Sequence, residues 1–320
     1  MSSLLERLGV ELPLVQAGMG GGIAGPELAA AVSEAGGLGT LGIADAPVLR
    51  AQLSDVRDRT SRPVAVNLLL PFARRAHFAA AAEADAVVTF WGRPRRRTPG
   101  LWVHQCGSVE EAQAAHAAGA DAVIAQGIEA GGHVRGTTPA LDLLERVRAA
   151  LPAGFGVLLA GGVADRGDVA EGLAAGADAM VLGTRFVMSD ESGAQQAYKQ
   201  RLMEGRETVL THLFGMGWHG SHRVLWNEAA ERWLRGDKRG PAWVRAANRV
   251  TAPALRRVPI GLQLRLAATQ RASRPFFSPL PPSAGAPGNL LDAGPLYAGE
   301  TAARIHDVRP AAELVRMLAP

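Results

Sequence analysis

The stretch Gln126-Gly127-Ile128-Glu129-Ala130-Gly131-Gly132-His133-Val134-Arg135-Gly136 concentrates residue types that can do chemistry. An imidazole titrates near neutral pH, so His133 is the candidate for proton transfer. Glycines on both sides let the backbone take positive φ and come close to a ligand. Gln126 at its entrance and Asn67 further upstream both end short apolar runs, and an amide both donates and accepts. Gly161-Gly162 and Gly183-Thr184 also follow apolar runs and precede helical patterns. Backbone N–H groups at a helix N-terminus attract a dianion, and barrels commonly bind phosphate after their last two strands. Each pair alone fits a tight strand-to-helix turn equally well; together they point to phosphate.

Other constellations carry less. His212, His219 and His222 are spaced seven and three apart with no accompanying acidic ligands, so no metal site is expected. His104 and Cys106 alternate on one strand and share a face, but no base lies near in sequence, which disfavours a nucleophilic thiol. No Gly-x-Ser-x-Gly is present, which disfavours a serine hydrolase. Trp218, Trp226 and Trp233 are expected to pack a cap.

The elements that must position these residues alternate along the chain. Apolar runs at Leu14–Gln16, Leu38–Leu41, Val64–Asn67, Ala86–Thr89, Trp102–Gln105, Ala122–Gln126, Val157–Ala160 and Ala179–Leu182 read as strands. Alanine-rich amphipathic runs follow most of them, which implies parallel pairing and right-handed crossovers. Ser108 with Glu111 has capping-box spacing. Two prolines between Phe90 and Leu101 leave little room for a fourth helix, so a vestigial helix or a loop is expected there. The polar and glycine signals gather after strands, and no G-x-G-x-x-G follows the first strand; Gly18-Met19-Gly20 matches only half of one. A closed α/β (β/α)8 TIM barrel is therefore expected over an open doubly wound sheet. The barrel is assigned to residues 1–200 and 290–320. A mostly helical lid or cap is assigned to 201–289, with Ser273–Asn289 as a proline-rich crossing.

Composition narrows the class. The chain has 320 residues, a net charge of +4 carried mostly by arginine, and one cysteine, Cys106. No intrachain disulfide is possible, and a reducing cytoplasm is the expected setting. The arginines are scattered, so no nucleic-acid partner is expected. The N-terminus lacks the apolar core of a secretory signal, and no run reaches the roughly 20 apolar residues of a membrane span.

Taken as a set, several strings resemble the nitronate monooxygenases, formerly 2-nitropropane dioxygenases. They are Pro13–Met19, Val66-Asn67-Leu68, Gln126–His133, Ala160–Val163 and Gly183–Phe186, with Arg223–Asn227 and Tyr297–Glu300. The resemblance covers nearly the whole chain, and the Gln-Gly-x-Glu-Ala-Gly-Gly-His string is the specific part. The same fold family includes flavin-dependent enoyl-acyl-carrier-protein reductases. The resemblance implies an FMN cofactor held by Asn67, Gln126, Gly131, Gly162, Gly183 and Thr184, with the backbone of Ala17, Gly18 and Met19 near the flavin. It places His133 as the active-site histidine. The implied reaction is oxidation of an alkyl nitronate or nitroalkane with O2 to a carbonyl compound and nitrite. His133 would serve as base toward a neutral nitroalkane, or position and neutralise the nitronate. Competing readings are an NAD(P)H-dependent flavin enoyl reductase and a non-catalytic flavin- or phosphate-binding barrel. Self-association as a homodimer is left open.

Overall fold

Short runs of valine, leucine and alanine, buried on both faces, make the parallel strands of the larger unit. The computed structural model describes residues 3–205, 207–218, 220–255, 258 and 260–320. Its strands in chain order are β1 (Leu14–Gln16), β2 (Gly39–Leu41), β3 (Val64–Leu69), β4 (Ala86–Phe90), β5 (Leu101–Cys106), β6 (Ala122–Gln126), β7 (Gly132–Val134), β8 (Gly156–Ala160), β9 (Ala179–Leu182), β10 (Thr208–Thr211) and β11 (Ser221–Leu225). Eight pair in parallel in the order β1-β9-β8-β6-β5-β4-β3-β2. The ring closes between its ends. Gln16 N–H donates to Leu38 carbonyl and Leu38 N–H to Leu14 carbonyl, both at 2.9 Å. This is the expected TIM barrel.

Side-chain alternation sorts the barrel into two cores. Val15, Ala65, Ala86, Val88, Val103, Ala122, Ile124, Leu158, Ala160, Ala179 and Val181 fill the interior, where Leu4, Leu5, Leu8 and Val10 join them from the N-terminal helix Ser3–Leu8 and its exit. That helix precedes β1, so it closes the end opposite the loops that follow the strands. Intervening strand residues face outward against the helices. Leu14, Trp102, Cys106, Val123, Leu159 and Met180 pack with Leu143, Val147, Leu314 and Leu318 of the helices Ala140–Ala150 and Ala311–Leu318.

No helix joins β4 to β5, in agreement with the prolines at 94 and 99. Ser108 caps the helix Val109–Ala117, accepting from Glu111 N–H at 3.3 Å.

The chain divides into two compact units. The barrel unit comprises Met1–Glu129, Arg135–Gly193 and Val308–Pro320; the second comprises Ala130–Val134 and Ala194–Asp307. In the second, β10, β11 and β7 form an antiparallel sheet beside the helices Gln196–Met203, Glu228–Trp233, Ala242–Leu255 and Ile260–Ala268. Its core is Val209, Leu213, Phe214, Val224, Leu234, Val244 and Phe277, with Trp226 and Trp233 packed against it. Trp233 also donates its indole N–H to Ala272 carbonyl at 2.8 Å. Among the described residues no helix is long and apolar enough to cross a membrane.

Candidate active site

Within the barrel unit, alternation decides which residues reach the interior. Ala65 and Ile124 face inward, so Asn67 and Gln126, two residues on, face inward at the C-terminal ends of β3 and β6. Both are buried. Asn67 Nδ2 donates to Gly18 carbonyl at 2.9 Å, and a Cβ on Gly18 would lie 2.3 Å from Asn67 Cβ. Gly18 is therefore glycine because the amide packs onto its backbone. Asn67 Oδ1 is buried and has no hydrogen-bond partner among the described residues. An orphaned buried acceptor calls for a donor from something bound. Gln126 Oε1 accepts from Arg135 N–H at 3.2 Å. Gln105 also falls on the inward face of its strand, two residues after Val103, and sequence reasoning missed it.

The glycine turns differ in what they leave open. Gly161 and Gly162 hold φ of +114° and +76°, a backbone that disfavours any other residue. A Cβ added at Gly162 would first meet Glu129 Cβ at 3.9 Å, and one at Gly183 would meet Ala17 Cβ at 3.9 Å. Both therefore present open backbone, the kind of cradle a phosphate or a flat ring can approach. The expected helix dipole is a different matter after β8. Asp165 and Asp168 already satisfy the N-terminus of Arg166–Ala174: Asp165 Oδ1 accepts from Gly167 and Asp168 N–H, while Asp168 Oδ2 accepts from Ala164 and Asp165 N–H. Two carboxylates at that end disfavour a second anion there. After β9, by contrast, the short helix Thr184–Val187, opened by Gly183, has no side-chain cap on its N-cap residue.

Most glycines of the opening string serve packing. A Cβ at Gly127 would lie 2.3 Å from Glu129 Oε2, at Gly131 2.6 Å from the Ala298–Gly299 backbone, and at Gly136 2.5 Å from Gly107 carbonyl. Glu129 itself caps a helix, both carboxylate oxygens accepting from Ala140 N–H at 3.0 and 3.1 Å.

His133 belongs to the second unit, as does Gly131; the chain enters that unit at Ala130 and leaves it after Val134. On β7, His133 lies directly opposite His222 of β11. Its half-buried ring is surrounded by aromatic groups: Trp218 at 5.3 Å, Tyr297 at 5.4 Å and His222 at 6.1 Å between ring centres. Loss of solvent lowers its pKa to about 4, so the ring is neutral at pH 7. His222 is fully buried, and Phe214 N–H donates to its Nε2 at 3.1 Å. That bond makes Nε2 an acceptor and fixes the neutral Nδ1–H tautomer. Burial, with His133 and His212 nearby, pushes the His222 pKa well down. Tyr297 O–H donates to Pro279 carbonyl at 2.8 Å, and Tyr198 O–H donates to the Tyr297 carbonyl. These bonds fix the ring's position. Arg223 pairs with Glu300 at 2.7 Å, and Ala298 N–H donates to Arg223 carbonyl at 3.3 Å, so two distant strings meet beside β7.

The remaining candidates separate cleanly. With Nε2 of His222 engaged, that nitrogen is closed to a metal; His219 lies outside the described residues. Among the described residues no three His, Cys, Asp or Glu side chains are grouped to hold a metal ion. Cys106 is buried with its thiol pushed up to about 12 by burial, so it is no thiolate nucleophile. His104 is buried against Thr89, Nδ1 to Oγ1 at 2.8 Å, on the outer wall.

A model of the family described as nitronate monooxygenase matches residues 2–92 and 95–320. The chain is 36% identical over 267 residues to a nitronate monooxygenase of Pseudomonas aeruginosa, covering 64% of this chain and 74% of that one. It is 32% identical over 254 residues to a (3aS,4S,5R,7aS)-5-hydroxy-7a-methyl-1-oxo-octahydro-1H-indene-4-carboxyl-CoA dehydrogenase of Mycobacterium tuberculosis, covering 73% and 69%. Among solved structures, FabK from Thermotoga maritima superposes with a TM-score of 0.78 at 27% identity, covering 99% of this chain and 94% of that one. Nitroalkane oxidase from Streptomyces ansochromogenes does so with a TM-score of 0.75 at 30% identity, covering 99% and 96%.

Proposed function

The chain belongs to the nitronate monooxygenase family and is an enzyme of the flavin oxidoreductase type; from that premise we propose that it uses FMN to oxidise alkyl nitronates with O2 to a carbonyl compound and nitrite. The observation that carries the reading is a neutral imidazole, His133, walled by Trp218, Tyr297 and His222.

The barrel residues fit the cofactor in two respects. The orphaned Asn67 Oδ1 matches an N–H on a heterocycle edge, and the open faces of Gly162 and Gly183 leave room for a ring and a phosphate. Asn67 and Gln126 would hold the ring edge, Gly183 and Thr184 the phosphate, and the open backbone of Gly162 would lie against the cofactor away from the phosphate. The backbone of Ala17, Gly18 and Met19 would pack nearby. When bound, FMN supplies the electron transfer between substrate and oxygen.

His133 acts on the substrate. An imidazole whose conjugate acid ionises near 4 is a weak base toward a carbon acid, since proton transfer is best with a pKa near the working pH. A bound anion raises that pKa by direct charge interaction. His133 therefore favours a preformed nitronate, accepting a proton or donating a hydrogen bond as the anion arrives, over abstraction from a neutral nitroalkane. Trp218 and Tyr297 exclude water and set an apolar wall beside it.

Similarity to a carboxyl-CoA dehydrogenase brings redox chemistry on a coenzyme A thioester into consideration; the second reading is NAD(P)H-dependent reduction of an enoyl thioester. Anaerobic spectra separate the two: bleaching of bound flavin by propionate 3-nitronate supports the first, and bleaching by NADPH with enoyl-thioester turnover replaces it with the second. Asn67→Leu should weaken FMN binding about tenfold, the effect of losing one or two hydrogen bonds, as measured by fluorescence titration.

A further inference from the structure

The β4–β5 connection, where the barrel lacks a helix, carries Arg93, Arg95, Arg96 and Arg97. Arg96 is used to pin the loop. Its Nε donates to Gly119 carbonyl at 3.0 Å, Nη1 to Gly100 carbonyl at 3.1 Å, and Nη2 to Asp121 at 2.5 Å. Those anchors precede β5 and β6, so the loop descends the outer wall from the barrel's mouth at Phe90 to its opposite end. At the mouth, Trp91 holds a left-handed φ of 61° and Arg135 stacks on its ring at 4.9 Å. The loop is thus fixed at both ends.

Arg93, Arg95 and Arg97 are exposed, and among the described residues none has an acidic partner. Arg97 lies 5.4 Å over the Phe78 ring, which orients its guanidinium without neutralising it. With Pro94 the three line an open cleft of about 430 Å³. The family match breaks at Arg93 and Pro94, two of the four residues that line the cleft.

Three like charges held around one cleft repel each other, and a multiply charged anion relieves that cost. Guanidinium forks match phosphate oxygens bidentately. A ligand with several phosphate groups can engage more of these guanidinium forks than inorganic phosphate can. The cleft lies down the wall rather than at the mouth, so a substrate reaching the mouth must carry its anionic end at a distance from its reacting end. We propose that the Arg93–Pro94–Arg95–Arg97 cleft binds the phosphorylated adenosine diphosphate end of a nucleotide-bearing ligand. Coenzyme A thioesters and NADPH share that chemistry, with an extra phosphomonoester on a ribose and a long arm to the reactive group.

The proposal stands apart from the nitronate reading because binding is measured without turnover. Flavin-loaded protein is titrated calorimetrically at constant ionic strength with coenzyme A, dephospho-coenzyme A, NADPH, NADH and inorganic phosphate. Coenzyme A or NADPH should bind about tenfold more tightly than its partner lacking the extra phosphate. Whichever shows this preference identifies the source. The triple change Arg93→Ala, Arg95→Ala, Arg97→Ala should weaken that binding by about tenfold or more, while the triple lysine variant retains part of it. All three residues are exposed, so folding is unaffected. The proposal is overturned if the extra phosphate confers no preference. It is equally overturned if the alanine variant binds as the wild type, or if inorganic phosphate alone registers.

Discussion

Two histidines in different parts of the molecule have the same depressed pKa of about 4, yet their surroundings differ. His104 sits on the outer wall of the barrel. Its Nδ1 is bonded to Thr89, Trp102 shares that hydroxyl, and burial followed by the Arg135 charge holds the ring neutral. His133 sits among aromatic rings that hold it without burying it fully, and only loss of solvent lowers its pKa. A shifted pKa therefore reports burial in both places. Chemistry requires in addition that a ligand can reach the ring.

The largest separation between the two should appear in turnover. His133→Asn with flavin bound should lower kcat/KM for a nitronate by about 10²- to 10³-fold, the usual range for a lost acid–base group. His104→Asn should leave kcat/KM within a few-fold of wild type. Steady-state oxygen consumption measures both, and equal losses would erase the distinction.

A smaller effect tests whether the aromatic surroundings matter. His222→Phe removes the acceptor of Phe214 N–H, costing about 1–3 kcal/mol of stability. It should also lower kcat/KM by about tenfold, because the group opposite His133 changes shape. Urea denaturation and kinetics read the two parts. Loss of stability with full activity would make His222 a packing residue only.

His104→Phe is expected to act through stability alone. It strips Thr89 Oγ1 of one partner and costs about 1–3 kcal/mol in denaturant unfolding.

The smallest effect is in pH dependence. Both rings have folded pKa values near 4, below the unfolded value near 6.5, so the unfolded chain binds more protons between those limits. Stability is then fully present above about 6.5 and falls as pH drops toward 4. Each single variant should make that fall shallower in thermal melts from pH 4 to 8, and an unchanged slope in either would remove its histidine from the account.

Much of the barrel half was legible because strand alternation is local. Asn67 and Gln126 follow inward residues by two, and Pro94 with Pro99 excludes a helix between β4 and β5. The half around His133 was not. β7 is three residues long and exists through pairing with β11, almost ninety residues away, so no local period announces it. The second unit, read from its sequence as mostly helical, also contains a three-stranded sheet, because long-range pairing leaves little trace in such short strands. His222 looked like one of a histidine trio; it lies opposite His133 with Nε2 bound to a backbone amide. The glycines of the opening string suggested ligand approach, whereas Gly127, Gly131 and Gly136 answer to packing. The dipole argument after β8 failed because Asp165 and Asp168 supply the helix with its own anions.

The most direct measurement is anaerobic titration of flavin-loaded wild type and His133→Asn with propionate 3-nitronate, followed by flavin absorbance. The account predicts rapid, stoichiometric bleaching in the wild type and bleaching slowed by about 10²-fold or more in the variant. Flavin that stays oxidised in the wild type, or that bleaches equally fast in both proteins, would contradict it.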